Sequence, residues 1–74
     1  MTKQEYIQTI EKKELARLNA LTYDEIAKEV SEWFNDSIEP TESREEIIND
    51  YLADFMRYKQ DNSMEELQEI LKHY

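Results

Sequence analysis

Apolar side chains recur along this chain three and four residues apart rather than at alternate positions, which is the period of helices with one face to bury. Tyr23, Ile26, Ala27, Val30, Trp33 and Phe34 form one such stripe, and Ile47, Ile48, Tyr51, Leu52, Phe55 and Met56 form a broader one. Tyr6, Ile7, Ile10, Leu15, Leu18 and Leu21 precede them; Met64, Leu67, Ile70, Leu71 and Tyr74 follow. A Ser/Thr-x-x-Glu box opens each stretch: Thr2 with Glu5, Thr22 with Glu25, Ser43 with Glu46, and Ser63 with Glu66. In such a box the hydroxyl accepts the N–H three residues on, and the carboxylate reaches back to the N–H of the capping residue, so two orphan donors are satisfied. Leu21 and Ile26 flank the second box as a hydrophobic staple.

Reading on from each box predicts helices over 3–19, 23–36, 44–60 and 64–73. Pro40, in the segment NDSIEPTES, lacks a backbone donor and biases Glu39 away from helix, and the polar QDNS breaks the chain before the last element. Between the first two, NAL contains neither Gly nor Pro, so one longer bent helix is the alternative there. The boxes begin at positions 2, 22, 43 and 63. That spacing is also what a duplicated unit would give, although helices of similar length produce it through periodicity alone. The predicted fold class is all-α, a small four-helix bundle or three helices plus a short C-terminal helix, in a single acidic domain spanning 1–74.

Composition narrows the function. A chain of 74 residues hides only about 60% of its unfolded surface, which leaves little room for a deep catalytic cleft. There is no Gly where an average usage of about 7% predicts about five, so loops that bring backbone N–H groups to phosphates are excluded. Without Cys there is no disulfide, thiolate nucleophile or Cys-based zinc site. The start shows no apolar run of signal-peptide length and no stretch approaches about 18 apolar residues, so the expectation is a soluble protein of the cytoplasm, with a bacterial host cell as its setting. An apolar fraction of 39% argues for a folded domain rather than a disordered acidic tail.

Candidate chemistry is sparse. His73, the single histidine, shares a helix face with Glu69, but two ligands do not make a metal site, and a solvated His beside a helix C-terminus is the simpler reading. Ser31, Ser37, Ser43 and Ser63 lack an obvious activating base, and two of them are caps. No calcium loop is present, because NDSIEPTESREE lacks the central Gly and the ordered ligand spacing. The expectation is a non-enzymatic protein with no metal and no cofactor.

The segment LTYDEIAKEV, residues 21–30, resembles the first helix of helix-turn-helix domains of sigma-factor-like regulators, where Leu-Ser/Thr-Tyr-x-Glu-Ile-Ala opens that helix. The resemblance covers ten residues. It implies a short Gly-containing turn and then a basic or polar recognition helix. Here the turn is missing, and the next helix contains Glu45, Glu46, Asp50 and Asp54, which DNA phosphates would repel. The DNA-binding function of that family does not carry over, and no direct contact with nucleic acid is expected.

Charge points toward a protein partner instead. The chain has 18 acidic and 9 basic residues, a formal net charge of −9. Within residues 20–50 lie ten carboxylates against Lys28 and Arg44, so −8 of that charge is concentrated there. On the predicted second helix Glu25, Glu29, Glu32 and Asp36 fall at i, i+4, i+7 and i+11, one ridge opposite Ile26 and Val30. Its axial spacing of about 4.5 to 6 Å resembles the separation of about 6 to 7 Å between phosphates of one DNA strand. Such a ridge can be only a solvated face, but solvated faces usually mix signs, and clustered like charge destabilises a small domain.

In composition the chain resembles the small acidic DNA-mimic and anti-defence inhibitors of phages and mobile elements. That resemblance implies docking on a basic protein, such as a nucleic-acid-binding host or defence protein. The expected contact residues are Asp24, Glu25, Glu29, Glu32, Asp36, Glu39, Glu42 and Glu46, with Trp33 or Phe34 as the desolvated anchor. The alternative is a structural or regulatory interaction module or homo-oligomer, in which Trp33, Phe34, Tyr51, Phe55 and Tyr58 matter more than charge. No membrane partner is expected.

Overall fold

A computed structural model describes residues 1–38 and 42–74. It contains α1 (Lys3–Asn19), α2 (Tyr23–Phe34), α3 (Arg44–Met56) and α4 (Met64–Lys72), with a 3-10 turn at Lys59–Asp61 and no strand among the described residues. The chain is therefore a small all-α bundle, as its apolar periodicity predicts.

All four helices start at their boxes. The hydroxyls of Thr2, Thr22 and Ser63 accept from the N–H groups of Glu5, Glu25 and Glu66, and the three carboxylates accept from the cap N–H groups at 3.1, 3.0 and 3.0 Å. These bonds to the backbone and then to the hydroxyls hold the three carboxyls below their ordinary range. The third box forms differently: Ser43 Oγ accepts from Glu46 N–H and itself donates to Glu46 Oε1, both at 3.2 Å.

The stops depart from expectation. α2 ends at Phe34 instead of residue 36 because Asn35 turns into the left-handed region, φ 54° and ψ 43°, which Asn tolerates better than other residues bearing a Cβ. Asp36 N–H then reaches back to Ser31 O at 3.1 Å. α3 ends at Met56 rather than 60, where Arg57 N–H tightens onto Asp54 O at 3.1 Å and the 3-10 turn follows. α4 stops one residue early, at Lys72. Ala20 and Leu21 turn back onto Arg17 O and Leu18 O at 3.2 and 3.0 Å, so α1 and α2 are two helices rather than one bent one.

Two long-range bonds define how α2 and α3 pack. Near the start of α2 the Tyr23 hydroxyl donates to Glu42 O at 2.8 Å, just before α3; near its end Trp33 Nε1 donates to Asp54 Oδ2 at 2.8 Å, in the last turn of α3. The two helices therefore run in the same direction. The connection from Asn35 to Ser43 makes this feasible, since nine residues can reach about 30 Å while the twelve of α2 rise only about 18 Å. A helix-turn-helix pair, with a turn of 3–4 residues and a crossing of about 90–120°, has neither feature. α1 runs opposite to α3: Arg44 Nη2 donates to Leu18 O and Asn19 O at 3.2 and 2.9 Å, placing a cation on the negative end of α1. α4 lies along α1 in the same sense, with Lys3 donating to Gln60 O and Gln68 donating to the Tyr6 hydroxyl at 3.4 Å.

The helices bury two apolar clusters along α1 rather than one central core. Leu18, Ile26, Val30, Ile47, Ile48 and Tyr51 make the first, while Ile7, Ile10 and Leu67 make the second. Phe55 packs against both, which lets one side chain couple the two halves of a molecule measuring 39 × 22 × 16 Å. No described helix is long and apolar enough to cross a membrane.

Candidate partner-binding face

Glu14 is the one buried charged side chain among the described residues, 4% exposed, and it decides which acidic groups remain open. Its Oε1 accepts from Arg17 Nε and its Oε2 from the Tyr74 hydroxyl at 2.7 Å. Arg17 Nη1 goes on to both carboxylate oxygens of Glu29, at 3.1 and 2.9 Å. Burial pulls the guanidinium downward, but its bonds to Glu14 and Glu29 outweigh that and keep Arg17 above its ordinary value. Burial, and then the bond to Glu14, push the Tyr74 hydroxyl up.

The predicted ridge on α2 is shortened, and two of its members have partners within the chain. Glu29 is committed to Arg17, Glu25 to the Thr22 cap, and Asp36 lies beyond the helix, where its Oδ1 accepts from Ser37 N–H at 2.8 Å. Glu32 stays exposed on α2 and Asp24 at its first turn. Glu46 sits with Ser43 at the start of α3, and Glu39 lies outside the described residues. Glu25, Glu29 and Glu32 therefore keep their row on α2, and Asp36 falls outside it.

The structure groups a different set of carboxylates. A groove of about 580 Å³ opens between α2, α3 and the described residues Asp36, Ser37, Ile38 and Glu42 that lie between them in the chain. Val30, Phe34, Ile38, Ile47 and Ala53 give it apolar walls, while Asp36, Glu42, Asp50 and Asp54 supply carboxylates and Arg57 is the one cation among the described residues that line it. Val30 and Ile47 are buried, but Phe34 is 41% exposed, so part of the apolar wall faces solvent. Among the described residues no ion pair joins Asp36, Asp50 or Asp54 to a cation. Neither α2 nor α3 has a basic residue in its last turn. At the end of α3 Lys59 Nζ donates to Phe55 O at 3.1 Å and Arg57 is the capping residue, so it is the negative dipole end of α2 that adds to the carboxylates of the groove.

Trp33 takes the other side of α2. Although 48% exposed, its ring meets Tyr51 edge-on at 5.2 Å and Phe55 at 6.0 Å, besides donating to Asp54. It borders a shallower hollow of about 360 Å³ with Arg17, Glu29, Glu32 and Tyr51. Burial first, and then the Glu14 charge, push the Tyr51 hydroxyl up to about 12. Of the two candidate anchors, Phe34 belongs to the groove, whereas Trp33 is engaged with α3.

Of the expected contact residues the groove therefore gathers Phe34, Asp36 and Glu42, and it adds Ile38, Asp50, Asp54 and Arg57, which sequence reasoning did not single out as contacts. Their signal was present in part: Asp50, Asp54 and Arg57 fall at i, i+4 and i+7, one face of α3. No three His, Asp or Glu side chains converge to hold a metal ion among the described residues, and His73 meets only Glu69, at 3.6 Å. No known protein family, curated protein or solved structure matches the chain.

Proposed function

We propose that this is a non-enzymatic acidic binding protein whose α2–α3 face occupies a positively charged surface of a partner protein. The observation that supports this reading is the grouping of Asp36, Asp50 and Asp54 around an apolar groove with no cation paired to them among the described residues. Like charges at a surface repel one another, and a basic partner relieves that cost on binding. A nucleic-acid-binding site on a host or defence protein has the required sign, and covering it is the action of a DNA mimic or anti-defence inhibitor. The cytoplasm of a bacterial host is the setting for such a protein. The reading involves no cofactor and no direct contact with nucleic acid or membrane.

The test is capture of proteins from host lysate on the immobilised chain at low salt, run in parallel with an Asp36→Asn, Asp50→Asn, Asp54→Asn variant. Asn preserves shape and leaves an oxygen to accept from Trp33. A basic protein retained by the natural chain, released by rising salt and not retained by the variant supports the proposal. Equal retention by both chains, or retention indifferent to salt, contradicts it.

A further inference from the structure

We infer that the groove between α2 and α3 receives an amphipathic basic helix of the partner, which seats a bulky apolar side chain against Phe34 and sets Lys or Arg residues opposite Asp50 and Asp54. This rests on the acidic-face reading and adds to it an apolar key and a conformation.

Size and surface come first. The groove, at about 580 Å³, falls within the range of about 300–1,000 Å³ that encloses a specific ligand group. Its walls combine buried Val30 and Ile47 with half-exposed Phe34, so an entering apolar group displaces water from aromatic surface that the fold leaves open. Charge alone would need no such wall.

The form of the occupant follows from the secondary structure. An extended peptide gains affinity by adding to a sheet edge, and the described residues contain no strand. A polyproline segment docks in an aromatic-lined groove, and among the described residues Phe34 is the one aromatic lining this one. A helix laid alongside two helices uses side chains at i, i+3, i+4 and i+7, which matches a groove whose α3 wall presents Asp50, Asp54 and Arg57 on that same period. The Asp50 and Asp54 positions are about 6 Å apart along the axis, one turn, so two cations one turn apart on the incoming helix face them both. Arg57 reverses the sign at the end of the row and favours a carboxylate there, which fixes the direction of the helix.

A second copy of this chain is a poor occupant. Each copy carries −9, so two acidic faces repel. α1 bears Lys12 and Lys13, yet its apolar residues Ile7, Ile10 and Leu18 are already buried, and the exposed Leu15 is a single side chain rather than an i, i+3, i+4, i+7 row.

The test uses two synthetic peptides of about 14 residues, four helical turns. One places Leu at i, i+3, i+4 and i+7 between Lys and Arg residues; the other has the same composition in an order that destroys the apolar face. Binding to the full chain is followed by amide NMR shifts and by Trp33 fluorescence, because Trp33 is bonded to the groove residue Asp54. The amphipathic peptide is expected to bind at least about tenfold more tightly than its scrambled control, a difference of about 1.4 kcal/mol, with shifts centred on Phe34, Ile38 and Ala53. Ala53→Lys, an exposed change to a good helix former, and Phe34→Ala should each remove that advantage.

Equal binding of both peptides, unaffected by Ala53→Lys, overturns the groove proposal while leaving the acidic face intact. Shifts centred on the hollow beside Trp33 and Arg17 overturn it as well. Failure of both peptides to bind at low salt overturns the groove proposal and the acidic-face reading together. A concentration-dependent dimer abolished by Ala53→Lys assigns the groove to a second copy and overturns the proposal.

Discussion

The Tyr74 hydroxyl donates to Glu14 Oε2 at 2.7 Å, joining the end of the chain to the middle of α1 across 60 residues. Glu14 is buried, and its other oxygen is held by Arg17, so both carboxylate oxygens have a partner. Removing either partner leaves a buried acceptor wanting, whereas removing the charge together with its partners does not. Tyr74→Phe should therefore cost about 1–2 kcal/mol in urea unfolding, and Arg17→Met about 2–3, less than a fully buried pair because Arg17 is partly exposed. Glu14→Leu combined with Arg17→Met should recover most of that loss. A double variant less stable than either single one would contradict this account of Glu14.

Phe55 contacts both apolar clusters. Truncating it to Ala should cost about 2–4 kcal/mol and should uncouple the halves. The check is a urea titration followed both by Trp33 fluorescence, which reports on α2 and α3, and by far-ultraviolet circular dichroism, which reports on all helices. Coincident curves in the natural chain and separated curves in Phe55→Ala are expected. If the variant curves stay coincident, Phe55 is not the joint.

Acid should weaken the fold through three caps. Glu5, Glu25 and Glu66 have folded carboxyls below the unfolded value of about 4.3. A lowered carboxyl contributes stability that is present above the unfolded value and is lost as pH falls through the folded one. Stability should therefore decline below about pH 4.3, and a triple Glu→Gln variant, which retains the reciprocal cap bond, should decline less. Thermal melts across that range decide it; parallel declines would place the acid response elsewhere.

At alkaline pH the sign reverses. Tyr51 is pushed up to about 12 from an ordinary 10. Its contribution is full below the unfolded value and is lost as pH rises through the folded one, so the window lies between about pH 10 and 12. Because Tyr74 is raised as well, absorbance titration of tyrosinate should show two late-titrating groups, of which one disappears in Tyr51→Phe. A titration unchanged by that substitution would contradict the assignment.

Where each helix begins was legible because capping is local: Thr2, Thr22, Ser43 and Ser63 meet groups three residues away. Where helices end was less so. In the absence of Gly, the stop of α2 rests on Asn35 accepting a left-handed conformation, and α3 ends at Met56 well short of the polar QDNS. Periodicity placed Ile26, Val30 and Ile47 in the core, but it could not show α2 and α3 running parallel, and that arrangement is what builds the groove. The acidic ridge is shorter than its spacing predicts for a related reason. The spacing needs a helix reaching Asp36, whereas Asn35 ends α2 before it, and the pairing of Glu29 with Arg17 joins residues twelve apart that periodicity does not bring together.

The central claim is that carboxylates around Phe34 recognise a basic partner, and its most direct measurement is calorimetric titration of the amphipathic Lys/Arg peptide into the natural chain and the Asp36→Asn, Asp50→Asn, Asp54→Asn variant. Raising salt from about 0.1 to 1 M shortens the Debye length from about 10 to 3 Å, so a charge-driven contact should weaken strongly. The natural chain should lose about tenfold or more in affinity over that range, and the variant should start at least about tenfold weaker and change little. Equal affinities for the two chains, or an affinity unmoved by salt, would contradict the account.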